Sequence, residues 1–325
     1  MTAALEDARA LAAVVGRGDR RALARAITLA ESTHPDDRDA AEMLLAELLP
    51  KTGKALRLGV SGAPGAGKST FIDAFGRALL AEAHRLAVLA VDPSSKRGGG
   101  ALLGDKTRMP ELAKDKRAFI RPSPAGRTLG GVARRTREAI LLAEAAGFDR
   151  VVVETVGVGQ SESDVADMVD LFLVLVAPGG GDELQGMKRG NLELADFVVV
   201  TKCDGDLEPA ARRAAADYAH ALHLLRGTAE TSVVAVSALM GQGIAELAAS
   251  VEGRAQKLAA AGAIAERRAL QASAALWREI GEGLMDALRN DPGFAAALQG
   301  LEADVVAGRV TPATAAAKAL AAFLT

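Results

Sequence analysis

At 325 residues, half of them apolar, the chain is long enough to bury a large core without disulfide bonds, and its only cysteine, Cys203, excludes an intramolecular one. The 39 basic and 41 acidic residues nearly cancel, so the overall charge does not favour nucleic acid as a partner. No run approaches the roughly 18 uncharged apolar residues of a membrane span. We therefore expect a soluble, cytoplasmic protein with neither a nucleic-acid nor a membrane partner.

Residues 1–54 predict an N-terminal helical extension. Apolar residues recur at helical spacing from Leu5 and Leu11 to Leu23 and Ile27, within one amphipathic stretch over residues 1–30. Charged residues interrupt this stretch, so it lacks the continuous apolar core of a signal peptide. A second helix is predicted to end at Leu49-Pro50.

Residues 55–258 alternate between short apolar runs and helices, which is the pattern of a large α/β domain. Several runs are apolar at successive positions, as expected of strands covered on both faces in a parallel sheet. Helices at 68–82, 130–146 and 208–225 supply the crossovers. We therefore predict a doubly wound, mainly parallel sheet. The predicted strands are 56–60, 86–91, 118–120, 151–154, 171–176, 197–200 and 233–236.

Residues 259–325 are rich in alanine and predict a C-terminal helical arm. Trp277, Ile280, Leu284 and Leu288 fall on one stripe of the first helix. The pattern alone leaves two interpretations open. The stripe packs on its own subunit, or it meets a second copy.

The first predicted strand runs directly into a glycine-rich loop. Residues 62–69, GAPGAGKS, match the phosphate-binding pattern G-x-x-x-x-G-K-[ST], and the strand before and helix after supply the context that its mechanism requires. Its glycines let backbone N–H groups turn toward phosphate oxygens, its lysine neutralises β- and γ-phosphate charge, and its serine coordinates Mg²⁺. We predict a P-loop nucleotide hydrolase rather than a mere glycine-rich turn. The predicted nucleotide-binding residues here are Gly62, Gly65, Ala66, Gly67, Lys68, Ser69 and Thr70.

A carboxylate after the sixth predicted strand favours guanine over adenine. Asp204 can accept hydrogen bonds from guanine N1–H and N2–H₂, whereas adenine offers neither donor and would leave the carboxylate unpaired. The stem of Lys202 can lie over the base plane. The segment Thr201-Lys202-Cys203-Asp204 resembles the N-K-x-D element of GTP-binding proteins, with Thr201 in place of asparagine.

A second base-reading segment follows the last predicted strand. Ser237-Ala238-Leu239 resembles the S-A-L element of GTP-binding proteins and is placed to offer a backbone N–H to guanine O6. Either segment alone could be an ordinary polar turn at a strand end. Both together, in order and after the expected strands, predict GTP as the nucleotide.

Two acidic residues at strand ends are candidates for sensing the γ-phosphate and its metal ion. Strand 151–154 ends in Glu154-Thr155-Val156-Gly157, which resembles the D-x-x-G element with glutamate in place of aspartate. Gly157 can bring its backbone N–H to the γ-phosphate, while Glu154 can hold Mg²⁺ through water or orient the attacking water. Asp92, after the second strand, is a further candidate magnesium ligand, although an Asx turn or helix cap remains an alternative.

A third loop, residues 177–190, contains three consecutive glycines and two basic residues. Ordering such a segment carries a large entropic cost, so we expect it to be mobile without a partner. Lys188 is the candidate catalytic residue here, and either it or Arg189 would approach the transition-state charge. A solvated basic loop is the alternative.

The motifs jointly resemble one family. GAPGAGKST, VDPSS, ETVGVGQSE, GGGDELQGMKRG and TKCD are similar to those of the MeaB/ArgK family, which belongs to the SIMIBI class of dimeric P-loop GTPases. The resemblance extends over essentially the whole chain, including WREIGEGLMDAL at 277–288.

This resemblance implies properties that the spacings alone do not. Family members are GTPase chaperones of adenosylcobalamin-dependent methylmalonyl-CoA mutase, gate its cofactor loading and protect it from inactivation. They form homodimers through the C-terminal arm and hydrolyse GTP slowly until the mutase stimulates them. The resemblance implies that Asp92, Asp105 and Glu154 serve the metal and its switch region, with Ser69 as a further magnesium ligand. It also makes residues 177–190 the third switch.

Two other activities remain as alternatives. A metallochaperone GTPase for another metalloenzyme would need clustered histidine or cysteine ligands. Only His220 and His223 lie close along the chain, and an exposed helix face explains them more simply. An ATP-driven, partner-regulating ATPase is the other alternative, and Asp204 with the Ser237-Ala238 turn argues against it.

Overall fold

The computed structural model describes residues 3–32, 34–91, 108–122, 129–155, 161–179, 189–226 and 231–324. The chain divides into two compact units, Met1–Ala269 and Leu270–Thr325. The predicted domain limits, 1–54, 55–258 and 259–325, stay predictions. Within the described residues no helix is long and apolar enough to cross a membrane.

Three helices precede the sheet: α1 (Ala3–Val15), α2 (Arg20–Glu31) and α3 (Pro35–Leu48). The single helix predicted over residues 1–30 is wrong, because the chain turns between α1 and α2. Gly18 has a φ of 84°, which favours glycine, and the Asp19 side chain accepts a hydrogen bond of 2.7 Å from the backbone N–H of Ala22. A turn of 3₁₀ helix at Leu49–Lys51 ends this segment, close to the predicted stop.

All seven predicted runs form strands of one sheet. The sheet has the order β3-β2-β4-β1-β5-β6-β7, and every described strand pair is parallel. The phosphate-loop strand β1 therefore lies in the middle, between β4 and β5. The strands are β1 (Leu56–Gly62), β2 (Leu86–Val91), β3 (Ala118–Pro122), β4 (Arg150–Thr155), β5 (Leu171–Val176), β6 (Phe197–Val200) and β7 (Ser232–Ala235).

Helices cover both faces of the sheet, which confirms the doubly wound α/β prediction. On β4, Val151 and Val153 belong to one buried cluster and Val152 to the other, so its side chains alternate between two covered faces. The first cluster includes residues of α1–α3, and the second includes residues of α4 and α10. The helices are α4 (Lys68–Ala81), α5 (Pro110–Lys114), α6 (Leu129–Ala145), α7 (Ser161–Ala166), α8 (Arg189–Leu194), α9 (Glu208–Arg226) and α10 (Ile244–Ala260).

A buried ion pair lies at the edge of the sheet where the strands begin. Asp170 is fully buried before β5, and its carboxylate accepts a hydrogen bond of 2.8 Å from the backbone N–H of Arg57. The guanidinium of Arg268, in the long helix α11 (Ala263–Asn290), binds the same carboxylate at 2.7 Å and also the Gly53 and Ala55 carbonyls. Removing one partner would leave a buried charge unpaired, so this contact fixes the start of α11 firmly.

The second unit consists of the rest of α11 with α12 (Pro292–Val306) and α13 (Pro312–Leu324). The predicted apolar stripe of α11 is only partly buried in this chain. Leu288 is buried, whereas Trp277 is 71% exposed and Ile280 and Leu284 are also exposed. Packing on its own subunit therefore accounts for Leu288 but not for the other three residues of the stripe.

Candidate nucleotide site

The phosphate loop joins the carboxyl end of β1 to the first turn of α4. A Cβ atom at Gly62 would lie 2.4 Å from the carbonyl oxygen of Leu175, so the neighbouring strand requires glycine there. Gly67 precedes α4 with a φ of 86°, which other residues rarely adopt. The Ala66 N–H bonds the Ala63 carbonyl at 3.1 Å and closes the turn. The loop thus presents the N-terminal end of α4, with its free N–H groups, on the side where phosphate is predicted.

Lys68 is held against the loop that contains it. Its ammonium group donates hydrogen bonds to the Gly62 carbonyl at 2.6 Å and to the Ala63 carbonyl at 3.2 Å. Burial lowers the pKa of Lys68 below its ordinary value, and the negative charges of Glu154 and Glu162 oppose that fall. An anion at the loop would favour the charged form of this lysine.

Ser69 and Glu154, two of the candidate magnesium ligands, lie in contact with each other. The Ser69 hydroxyl, in the first turn of α4, donates to the Glu154 carboxylate at 3.3 Å. Glu154 pairs with Val60 of β1, the strand that leads into the phosphate loop. A hydroxyl and a carboxylate are the oxygen ligands that Mg²⁺ prefers, so these two residues fit the ion. Glu154 is buried at the end of β4, whereas Thr70, in the first turn of α4, is exposed.

Sequence reasoning missed a second buried glutamate close to Lys68. Glu162, in the first turn of α7, accepts a hydrogen bond of 3.2 Å from the Ser61 hydroxyl, and Ser61 in turn accepts one of 2.9 Å from Thr155. All three residues are buried. The only signal in the sequence was an acidic residue shortly after Glu154, because the contact arises when α7 packs against β1.

The predicted base-reading segments lie together at the ends of β6 and β7. The Ser237 hydroxyl donates to the Asp204 carboxylate and accepts a hydrogen bond of 3.0 Å from the Met240 N–H. The Cys203 N–H binds the Val236 carbonyl at 3.0 Å, which ties the two segments along their backbones. Asp204 is half-buried and Lys202 is exposed with a φ of 55°. Ala238 is half-buried and Leu239 is exposed on the same turn.

Thr201, which replaces asparagine, bridges the two halves of the site. It is 2% exposed, and its hydroxyl lies 2.7 Å from the carbonyl oxygen of Ala66 in the phosphate loop. The same hydroxyl lies 3.1 Å from the carbonyl oxygen of Val176, the last residue of β5. A threonine therefore supplies a side-chain contact between the base loop and the phosphate loop.

Several predicted site residues lie outside the described residues: Asp92, Asp105, Gly157 and Lys188. Their roles stay predictions, and so does that of Arg189, whose side chain is not described. Within the described part of the chain, no group of three or more His, Cys, Asp or Glu residues could hold a metal ion. His220 and His223 are exposed on α9, as expected of a solvated helix face.

The fold and the loop define the class of protein. A parallel sheet covered on both faces, with a phosphate loop leading from its central strand into a helix, is the architecture of a P-loop nucleotide hydrolase. A family model of the methylmalonyl-CoA mutase-associated GTPase MeaB matches residues 23–293. The chain belongs to this family, and it is a GTP hydrolase that binds guanine nucleotide.

Individual relatives agree with this assignment. The mitochondrial methylmalonic aciduria type A homolog of Mus musculus is 48% identical over 320 residues, which cover 94% of this chain and 77% of that protein. GTPase ArgK of Escherichia coli is 52% identical over 234 residues, 71% of each chain. The crystal structure of an LAO/AO transport system kinase superposes with a TM-score of 0.78 at 36% identity, covering 100% of this chain and 99% of that one. The predicted family, the SIMIBI class and the α/β fold are confirmed.

Proposed function

We propose that this GTPase is a chaperone of adenosylcobalamin-dependent methylmalonyl-CoA mutase, which gates cofactor loading and protects the mutase from inactivation. The observation that carries the proposal is the match of residues 23–293 to a family described as methylmalonyl-CoA mutase-associated. The mouse relative, whose name refers to methylmalonic aciduria, supports it. The cobalamin would be carried by the mutase.

The phosphate half of the site is assigned as follows. Lys68 and the backbone N–H groups of residues 62–69 bind the β- and γ-phosphates and stabilise the charge that develops during hydrolysis. Glu154, buried at the end of β4, orients the attacking water. Ser69 and Glu154, with Asp92 and Asp105, would hold Mg²⁺, which supplies charge neutralisation at the phosphate oxygens. Lys188 is proposed to approach the transition-state charge.

The base half of the site gives the selectivity. Asp204 accepts from guanine N1–H and N2–H₂, and the Ser237 hydroxyl orients that carboxylate. The stem of Lys202 covers the base, and the Ser237-Ala238-Leu239 backbone serves O6. Adenine would leave the Asp204 carboxylate unpaired, so an ATPase is the weaker alternative.

Hydrolysis acts as the signal in this proposal. The loops at 92–108, 154–163 and 177–190 would close around the γ-phosphate of bound GTP, and loss of the γ-phosphate would release them. The affinity for the mutase changes as a result. We expect the GTPase alone to hydrolyse GTP slowly, because in this proposal the partner stimulates hydrolysis and so determines when the GTP-bound state ends.

A homodimer through the C-terminal arm completes the proposal. The exposed Trp277, Ile280 and Leu284 side chains supply an apolar surface that a second copy can cover. The metallochaperone alternative has no comparable support, since the described residues contain no cluster of metal-ligating side chains.

The experiment is GTP hydrolysis by the purified protein, alone and with methylmalonyl-CoA mutase, with ATP as the control nucleotide. We expect GTP-selective turnover that rises when mutase is added. Lys68→Ala should abolish both the basal and the stimulated rate, whereas Lys114→Ala, an exposed change on α5, should leave both unchanged.

Each failure has a distinct meaning. GTP turnover that is indifferent to the mutase would contradict the chaperone assignment and leave the GTPase intact. Hydrolysis that survives in Lys68→Ala would show that the catalytic residues are misassigned.

A further inference from the structure

A chain of three buried polar side chains lies beside the phosphate loop. The Thr155 hydroxyl donates to the Ser61 hydroxyl at 2.9 Å, and the Ser61 hydroxyl donates to the Glu162 carboxylate at 3.2 Å. Thr155 is 0% exposed, Ser61 1% and Glu162 7%. Water has little access to these groups, so each hydroxyl proton depends on the acceptor that the next side chain provides.

This chain extends the contact between two central strands beyond their last paired residues. The ladder between β1 and β4 ends with Val60 opposite Glu154. Ser61 and Thr155 are the next residues of the two strands, and their hydroxyl groups form the next contact across them. A side-chain hydrogen bond therefore joins β1 to β4 at the point where β1 enters the phosphate loop.

Glu162 determines the direction of the hydrogen bonds in the chain. A carboxylate only accepts hydrogen bonds, so the Ser61 proton points to Glu162 and the Ser61 oxygen is left to accept from Thr155. Glu162 lies in the first turn of α7, which packs against both β1 and β4. One carboxylate thus ties this helix to the two strands.

The residues assigned to hydrolysis stand next to the chain on both strands. Glu154 directly precedes Thr155 on β4. The Gly62 carbonyl, directly after Ser61 on β1, accepts a hydrogen bond of 2.6 Å from the Lys68 ammonium group. A shift of Ser61 against Thr155 would therefore move the proposed water-orienting carboxylate relative to the phosphate-binding lysine, and hydrolysis rates are sensitive to such displacements.

We infer that Glu162 is a positioning residue for hydrolysis, which acts through Ser61 and Thr155 to hold Glu154 in place against the phosphate loop. The inference rests on the proposed role of Glu154 in orienting the attacking water. It requires no contact between Glu162 and the nucleotide. The phosphates of GDP would be bound by Lys68 and the N–H groups of the loop, so the chain should affect the rate of hydrolysis and leave GDP affinity unchanged.

The test measures kcat and KM for GTP, and the affinity for GDP, in Glu162→Gln and Glu162→Ala. Both variants lose the negative charge that acts on Lys68, but glutamine keeps a side-chain oxygen that can accept the Ser61 proton. The difference between the two variants therefore reports the hydrogen bond alone. We expect kcat to be about tenfold lower in Glu162→Ala than in Glu162→Gln, with KM and GDP affinity equal within about twofold.

A double-mutant cycle tests whether Glu162 acts through Ser61, with the Glu162→Gln protein as the reference. Ser61→Ala removes the donor and the link to Thr155. In the Glu162→Gln protein it should lower kcat about tenfold, whereas in the Glu162→Ala protein it should change kcat by less than about twofold. Asp167→Asn, which removes an exposed acidic group just after α7, is the matched control and should leave kcat unchanged.

Two results would overturn the inference: equal kcat in Glu162→Ala and Glu162→Gln, or losses from Ser61→Ala and Glu162→Ala that add. If Glu162→Ala does not fold, as judged by circular dichroism, Thr155→Val takes its place, because it interrupts the same chain at its other end and keeps the side-chain shape. A kcat in Thr155→Val equal to that of the unchanged protein would overturn the inference in the same way. Full hydrolysis in Glu154→Gln would instead refute the proposed role of Glu154.

Discussion

At the scale of single residues, Asp204 is the residue that we propose to select the base. Its carboxylate is half-buried and oriented by the Ser237 hydroxyl, so it presents acceptors in a fixed direction. A guanine would satisfy those acceptors with two donors, whereas an amide in place of the carboxylate would set its N–H donors against those of guanine.

Asp204→Asn should therefore lower GTP affinity by about 10- to 100-fold while ATP affinity stays low, so the GTP-to-ATP preference collapses. Xanthosine triphosphate, which carries a carbonyl where guanine has its amino group, should gain affinity because the new amide can donate to it. Competition binding with the three nucleotides measures this. Asp206→Asn, an exposed change two positions further on, is the matched control. An unchanged GTP-to-ATP ratio in Asp204→Asn would refute base reading by this residue.

The lowered pKa of Lys68 predicts proton uptake when nucleotide binds. Burial lowers this pKa from its ordinary value of 10.5, and phosphate would raise it again. Between the lowered pKa and 10.5, the free protein has lost part of this proton, so nucleotide binding must restore it and affinity must fall as pH rises. The stability of the free protein rises with pH in the same window, because the unfolded lysine binds more protons there.

Calorimetry of GDP binding in two alkaline buffers with different ionisation enthalpies measures that uptake. Lys68→Arg should abolish it, because arginine does not titrate in this range. Burial also raises the pKa of the Cys203 thiol above its usual 9.0, so this thiol can exchange protons in the same alkaline buffers. The Cys203→Ser variant removes that contribution, so that the remaining proton uptake can be assigned to Lys68. Binding heats that are independent of the buffer in the Cys203→Ser protein would contradict the prediction.

What the sequence alone could and could not predict differs among these residues. Lys68, Ser69 and Asp204 stand in motifs with fixed spacing next to strands. The sequence pattern alone was therefore enough to predict where in the fold these residues lie. The contact of Glu162 with Ser61 and that of Thr201 with Ala66 join residues far apart in the chain. Only the packing of α7 and the paired ends of β5 and β6 bring them together.

At the scale of elements, the strands were predictable because each is a continuous apolar run covered on both faces. The break between α1 and α2 was not predicted, although glycine is common at the end of a helix and Asp19 is the N-cap residue of α2. The apolar period continues through the turn, because both helices place their buried sides in one cluster. The apolar periodicity alone therefore could not indicate this turn, whereas the capping residues could have done so.

Asp19→Ala should weaken the start of α2 by about 1 kcal/mol, because the Ala22 N–H loses its acceptor. Hydrogen–deuterium exchange at the first turn of α2 measures the loss as faster exchange. The exposed Asp39→Ala change, within α3, should leave exchange there unchanged. Equal exchange in the Asp19→Ala and unchanged proteins would exclude a capping role.

At the scale of the whole molecule, the exposed apolar side chains of α11 form the surface that we propose a second copy covers. Trp277, Ile280 and Leu284 recur at helical spacing and are all exposed in the chain. Sequence periodicity identified the stripe, yet it could not decide what covers it, because burial against a second chain leaves the same pattern as burial within one.

The double change Ile280→Asp and Leu284→Asp should convert a dimer into a monomer, because burying two charges against apolar side chains is strongly unfavourable. Light scattering after gel filtration measures the mass. Arg289→Asp, which places a negative charge on the opposite face of α11 from Ile280, should leave the mass unchanged. A dimer that survives the double change would place the interface elsewhere, and a monomeric unchanged protein would contradict the arm proposal outright.

The central place of β1 has a consequence for the order in which the protein can be made. This strand is synthesised first, yet Leu56 pairs with Arg150 of β4 and Leu58 pairs with Leu171 of β5. A growing chain therefore displays the phosphate-loop strand without either neighbour until most of the sheet has left the ribosome. Closing such long loops is slow, so we expect the nascent protein to complete its nucleotide site only after β4 and β5 have been made.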